Sequence, residues 1–107
     1  MTYKIQLTIV GKFDLEDIYS YIRYHFCDEI TAKKVFEKIR ASFDALTYFP
    51  YRFRKIQTIE HRDIRLMSVD SYGVLFVIDD EEATVKIIRI IYSGRDIDNI
   101  VQKIVLN

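Results

Sequence analysis

The chain has 107 residues, half of them hydrophobic and 30% charged. That is too apolar for a disordered polypeptide and long enough for one core without disulfide or metal staples. Sixteen lysines and arginines balance sixteen aspartates and glutamates, so the formal net charge is zero. A uniformly basic nucleic-acid binder is thereby excluded, but a local patch is not.

One cysteine, Cys27, cannot form an internal disulfide or a cysteine zinc site, and without a basic activator it reads as structural. No stretch is long and apolar enough to span a bilayer, and the first residues lack a signal-peptide pattern. The expectation is one domain over residues 1–107, cytoplasmic, without membrane association.

Residues Tyr3 to Val10 alternate apolar and polar, which predicts a strand ended by Gly11. Asp14 is the expected cap of a first helix, with Leu15, Ile18, Tyr19, Ile22 and Phe26 on its apolar face. Asp28 or Thr31 caps a second helix, whose face is Ala32, Val35, Phe36, Ile39, Phe43 and Leu46, and Pro50 stops it. The short link between the two predicts an antiparallel hairpin. Strands follow around Ile64–Ser68, Val74–Ile78 and Val85–Tyr92, with Asp79–Glu82 as the turn between the last two. Ser93–Asp96 is a break, and Ile97, Ile100, Val101, Ile104 and Val105 predict a short helix. Helices and strands in separate runs argue an α+β fold: an N-terminal strand, a helix hairpin, then a mainly antiparallel sheet of three or four strands.

The basic residues are unevenly spread. Arg52, Arg54, Lys55, Arg62 and Arg65 fall in one segment, with Tyr51 and Phe53 interleaved, and Arg89 and Arg95 lie on or just after the last strand. Guanidinium groups bind phosphates bidentately and aromatic rings stack on bases, so these residues are candidates for contact with RNA or another target. A solvated face is the alternative reading of the same run. His61 and Tyr92 are candidate proton carriers, and an exposed turn histidine and a packed tyrosine remain open beside that reading. No phosphate loop, no metal-ligand spacing and no nucleophile motif is present, so neither a cofactor nor a metal is expected.

Laid out in this order, the chain resembles toxins of the RelE/ParE superfamily from bacterial type II toxin–antitoxin modules. The run Asp14-Leu15-Glu16-Asp17-Ile18-Tyr19-Ser20-Tyr21-Ile22 resembles the family's first helix. Ala32, Ile39, Leu46, Phe49 and Pro50 resemble its second helix and the proline that follows. Ile64-Arg65-Leu66, Val69, Tyr72 and Val74 through Asp79 resemble its central hairpin, and Ile90-Ile91-Tyr92-Ser93-Gly94-Arg95-Asp96 its closing strand.

The resemblance implies a growth-inhibiting toxin of the kind associated with plasmid stabilization, and a cognate antitoxin that wraps it. Operator DNA would be reached only through that antitoxin. It implies one of two targets: DNA gyrase, bound and inhibited in the ParE manner, or mRNA on the ribosome, cut in the RelE manner by a metal-independent endoribonuclease. In the second case Arg65 and Arg95 match recurrent arginines, and Tyr92 and His61 are the proton carriers at hand.

The chain departs from the nuclease pattern in three respects. Gly73 stands where many members carry an arginine. Ile64 and Leu66 stand near the lysines of the best-known nuclease branch, and Ile100 and Val101 stand where a tyrosine is expected. The ParE-like reading is therefore preferred. Convergence of Arg65, Arg95 and a proton carrier in one cleft would favour a nuclease, and dispersal a binder. A third reading is a non-toxic member that acts only in antitoxin binding and operator regulation.

Overall fold

In the computed structural model, which describes residues 1–104, the first strand is only Lys4–Leu7 (β1). Two β-branched residues beyond it, Thr8 and Ile9, favour extension, yet the chain turns into helix α1 (Ile9–Ser20) there. The reason is a cap. The Gly11 amide donates to Thr8 Oγ1 at 3.1 Å, and the Thr8 amide donates to the Ile87 carbonyl at 3.0 Å. Gly11 therefore does not end the strand, and Asp14 does not cap the helix. Gly11 instead lets α1 approach the sheet, since a Cβ at this position would lie 2.8 Å from the Ile87 carbonyl oxygen.

After Ser20 the helix widens into a π-helical turn, Tyr21–His25. Its Tyr21 and His25 rings stack at 4.7 Å, and Phe26 packs edge-on against both. Helix α2 (Glu29–Ser42) is capped by Asp28, one of the two caps the sequence offers. The Thr31 hydroxyl, then its amide, donates to the Asp28 carboxylate and holds that group below the usual carboxylate range. A 3-10 turn, Phe43–Leu46, continues the hairpin, and a second one begins at Pro50.

Four strands follow: β2 (Lys55–Ile59), β3 (Arg62–Val69), β4 (Tyr72–Asp79) and β5 (Thr84–Tyr92). The sheet order is β1-β5-β4-β3-β2, antiparallel except for β1, which runs parallel to β5. The sheet has two covered faces. On one, Met67, Val69, Val74, Phe76, Val85, Ile87 and Ile90 pack against Leu15 of α1, Ile39 of α2, and Phe43 and Leu46. On the other, Ile64, Leu66, Leu75, Val77, Ile88 and Ile91 pack against Val101 of α3 (Ile97–Gln102). Of the residues predicted for that last helix, Val105 lies outside the described part of the chain.

A bulge interrupts the β4–β5 ladder. Leu75 pairs with Arg89 and Phe76 with Ile87, leaving Ile88 as the extra residue. Strict alternation from Ile87 would put Ile91 beneath the helix hairpin and Tyr92 on the α3 face. With one residue inserted, Ile87 and Ile90 share the hairpin face, and Ile88 and Ile91 the α3 face. Tyr92 then lies opposite Tyr72, on the hairpin side.

The segment before β2 is tied to the far end of the sheet. Asp80, in the β4–β5 turn, accepts from the Tyr3 hydroxyl at 2.7 Å and from the Tyr51 hydroxyl through its other oxygen. Arg65 Nη1 donates to the Phe53 and Tyr51 carbonyls at 2.7 and 3.2 Å, and its guanidinium lies over the Tyr51 ring.

Two measurements test these local arguments. Glu60 and His61 form the β2–β3 turn at φ 52° and 65°, the positive values a type I′ turn demands, with neither glycine nor asparagine present. Replacing the pair by Asn-Gly should raise the unfolding free energy by about 1 kcal/mol in urea titration. An unchanged or lowered midpoint would refute the strain.

The second concerns alkali. The bond to Asp80 pushes the Tyr51 hydroxyl up to about 12, from 10.0 when unfolded. That bond therefore stabilises fully below pH ~10, and its contribution is lost as pH rises towards about 12. Tyr51→Phe should flatten the loss of stability in this window, and ultraviolet titration should show one fewer late-ionising tyrosine. A parent-like alkaline limb in the variant would exclude the bond as its cause.

Candidate functional site

At the carboxyl end of β5, the sheet and the helix hairpin part to leave a cleft of about 680 Å³. Asp14, Asp17, Tyr21 and Phe26 line one wall, and Tyr72, Arg89, Tyr92 and Arg95 the other. Helix geometry explains the first wall, because residues 14, 17 and 21 are three and four apart and share one face. The bulge explains the second, because it turns Tyr92 towards the hairpin. Next to this cleft lies a smaller one of about 380 Å³, lined by Lys34, Lys38, Asp70, Ser71 and the same Tyr72 and Tyr92. The two tyrosines, edge to face at 6.0 Å, form the ridge between them.

The cleft's charges are partly spent. Arg89 Nε and Nη2 donate to the two Asp14 oxygens at 2.7 and 3.2 Å, and the Ile90 amide donates to Asp14 Oδ2 at 2.9 Å. Arg89 is thus a fastener between β5 and α1. Arg95 is exposed, with no carboxylate within ion-pair distance among the described residues. Partial burial, then the Tyr92 and Tyr21 phenols nearby, push the Tyr72 hydroxyl above the usual tyrosine range. At neutral pH it is a protonated donor.

The predicted site residues do not gather in one place. Tyr92 and Arg95 share the larger cleft with Arg89. Arg65 does not reach it: β4 separates β3 from β5, and Arg65 pairs with Phe76, which pairs with Ile87. At about 3.3 Å per residue and 4.8 Å per strand, Arg65 and Tyr92 stand on the order of 15–20 Å apart. His61 sits on the β2–β3 turn, at the opposite end of the sheet, and Arg62 starts the strand beside it. Arg52, Arg54 and Lys55 are exposed on the segment entering β2. Arg52 Nη1 donates to the Tyr48 carbonyl at 3.0 Å.

Gly73 is buried on the α3 face, where a Cβ would lie 2.8 Å from Leu66 Cδ1, so an arginine there would have to displace packed side chains. Cys27 is exposed at the end of the π-helical turn, outside both clefts.

Residues that single-sequence reading passes over include Asp14 as the partner of Arg89, and Asp17, Tyr21 and Phe26 as cleft walls. Their signal was available. Asp14 is a carboxylate beside the apolar stripe of a helix, and Asp17 and Tyr21 follow it on the same face. Large apolar side chains also stand exposed along α1, among them Ile9 at 71% and Phe13 at 59%, which marks a surface for a partner.

Removing the Asp14 carboxylate should leave Arg89 and the Ile90 amide unpaired in a half-buried setting. Asp14→Ala is expected to cost about 3 kcal/mol of unfolding free energy. Lys38→Ala breaks only an exposed pair with Asp70, whose side chains are 62% and 59% exposed, and should cost under about 1 kcal/mol. Equal losses in chemical denaturation would contradict this ranking.

Comparison with known proteins agrees with the geometry. A chain of the chromosomal ParDE toxin–antitoxin system from P. aeruginosa superposes with a TM-score of 0.69 at 16% identity, over 85% of this chain and 96% of that one. An archaeal RelE–RelB complex from Pyrococcus horikoshii OT3 gives 0.64 at 18% identity, over 90% and 100%. The toxin–antitoxin complex RelBE2 from Mycobacterium tuberculosis gives 0.61 at 22%, over 89% and 95%. At these identities the likeness is one of fold. No curated protein sequence matches the chain. The family described as the ParE toxin of the type II toxin–antitoxin system parDE matches residues 12–97, most of the chain and nearly all of the strand–hairpin–sheet unit described above. The chain therefore belongs to the ParE toxin family of type II toxin–antitoxin systems.

Proposed function

We propose that the protein arrests growth by binding DNA gyrase in the ParE manner, without cutting a substrate, and that a cognate antitoxin neutralises it. The observation that carries this reading is dispersal. A ribonuclease needs a base at the 2′-hydroxyl, a cation at the scissile phosphate and an acid at the leaving oxygen, all within hydrogen-bond reach. Here Arg65 and His61 stand far from Tyr92 and Arg95, Gly73 carries no side chain, and Arg65 holds two backbone carbonyls. A binding toxin needs instead an exposed surface, and the cleft with the apolar side of α1 supplies one.

The antitoxin would cover the same cleft and helix face, consistent with the toxin–antitoxin pairs among the similar structures. It would also link the toxin to operator DNA, and the module would favour retention of a plasmid that carries it in a bacterial cytoplasm.

A second reading, RelE-like cleavage of ribosome-bound mRNA, draws on one observation: Tyr92, Tyr72 and Arg95 do line a single cleft. Induced expression in a bacterial host without the antitoxin separates the two. The expected outcome is growth arrest with changed plasmid supercoiling and intact mRNA. Arg95→Ala should restore plating by about tenfold or more, as a hot-spot truncation would, with its thermal midpoint unchanged. Fragmented mRNA with normal supercoiling would transfer the assignment to the nuclease branch. Harmless expression of folded protein would point to a purely regulatory member.

A further inference from the structure

We infer that the segment entering β2, together with Arg65, forms a ledge that binds single-stranded nucleic acid, apart from the cleft and independent of which target the toxin acts on. Its rings are set out in water. Tyr48 is 65% exposed and Phe49 70% exposed. Phe49 is held at φ 53°, a left-handed conformation that a bulky residue rarely adopts, so the chain bears backbone strain at a ring it does not bury.

Its two guanidiniums are held in place, with a lysine beside them. Arg65 lies over the Tyr51 ring and Arg52 over Phe53, at 5.1 and 4.7 Å to the ring centres. Lys55 pairs with Arg65 across the strands and therefore shares its face. Among the described residues none of the three has a carboxylate within 4.0 Å. The acid beside Tyr51, Asp80, already accepts from two phenols. Each guanidinium spends only Nη1 on carbonyls and keeps its other donors.

This arrangement fits a strand better than a peptide. Neither of the two clefts includes any of these residues, so a protein partner seated in those clefts would leave the ledge uncovered. Bases need only an exposed ring, and phosphates need only fixed N–H donors beside it. The formal neutrality of the whole chain does not oppose this, because association follows the local field.

The test is fluorescence anisotropy on the purified chain with labelled oligothymidylate, oligouridylate and a DNA duplex, each about 20 nucleotides long, between about 50 and 200 mM salt. Binding of at least one single strand is expected, tighter than the duplex, with a log–log salt slope of about −2 from three cations at about 0.7 each. Lys55→Ala should lower the slope by about 0.7. Phe49→Gly, whose backbone glycine accepts freely, should weaken binding about tenfold at unchanged slope, because it removes stacking and no charge. Circular dichroism checks that both variants are folded. Preference for uridylate or thymidylate tells whether RNA or DNA is the natural ligand. The inference fails if no single strand binds at about 100 μM protein in low salt, where even non-specific contacts register. It also fails if the duplex binds equally, if both variants match the parent, or if polyglutamate binds with the same dependence on Phe49 and Lys55, which would mark an acidic protein partner.

Discussion

One carboxylate holds the two halves of this fold together. β1 stops at Leu7, opposite Ile87, while β5 runs on to Tyr92. From Ile88 onward, the outer edge of β5 has no neighbouring strand. A bare edge would leave amides and carbonyls without partners. The chain supplies side chains instead. Thr8 Oγ1 donates to the Ile87 carbonyl at 3.1 Å, and Asp14 accepts from the Ile90 amide and the Arg89 guanidinium together. Asp14 thus replaces a strand, neutralises a cation and fixes α1 over the sheet. Side chains 13% and 27% exposed make that pair the least exposed of the ion pairs among the described residues, and so the least screened.

The cleft follows from the same place. The bulge at Ile88 carries Tyr92 over to the hairpin side. The π-helical turn, after the end of α1, brings Tyr21 and Phe26 to the opposite wall. Both are single-residue departures from regular geometry, a kind that recurs at functional sites because it re-aims a side chain without rebuilding an element. Between them they produce a cleft rich in phenols with, among the described residues, one guanidinium outside any ion pair, that of Arg95. Such a surface suits recognition, where large rigid rings and an arginine carry most of the contact energy.

How much of this could be read in the residues depends on range. The start of the second helix is legible to within a choice of two caps, Asp28 or Thr31, because every signal there is local. The start of the first is not. Thr8, Ile9 and Val10 are strand formers by propensity, and what overrides them is contact with Ile87, almost eighty positions later. β2 was passed over because Lys55–Ile59 is a short edge strand with only two isoleucines, Ile56 and Ile59, to mark it. The bulge was hidden for the opposite reason: Val85 to Tyr92 is so uniformly apolar that no alternation reveals the register. Asp14 stands out as a carboxylate beside an apolar stripe, but nothing local names Arg89, 75 positions on, as its partner.

Arg65 shows why a matched residue is not yet a matched role. The resemblance matches it to a recurrent arginine, and from the chain alone it is a candidate phosphate ligand. In the fold it clasps the carbonyls of Tyr51 and Phe53 and lies on the Tyr51 ring, while Tyr51 reaches on to Asp80 and Phe53 packs edge-on against Phe76 at 6.0 Å. The guanidinium therefore links the segment before β2 to the core of the sheet. Loss of toxicity in an Arg65→Ala variant would report that this segment had come loose as readily as it would report a missing contact. Arg95 has no such structural duty: it makes no ion pair among the described residues and lies beyond the last strand. The informative position for function is therefore the arginine that the fold does not use, and the cleft beside it can be probed without disturbing the clasp that Arg65 maintains.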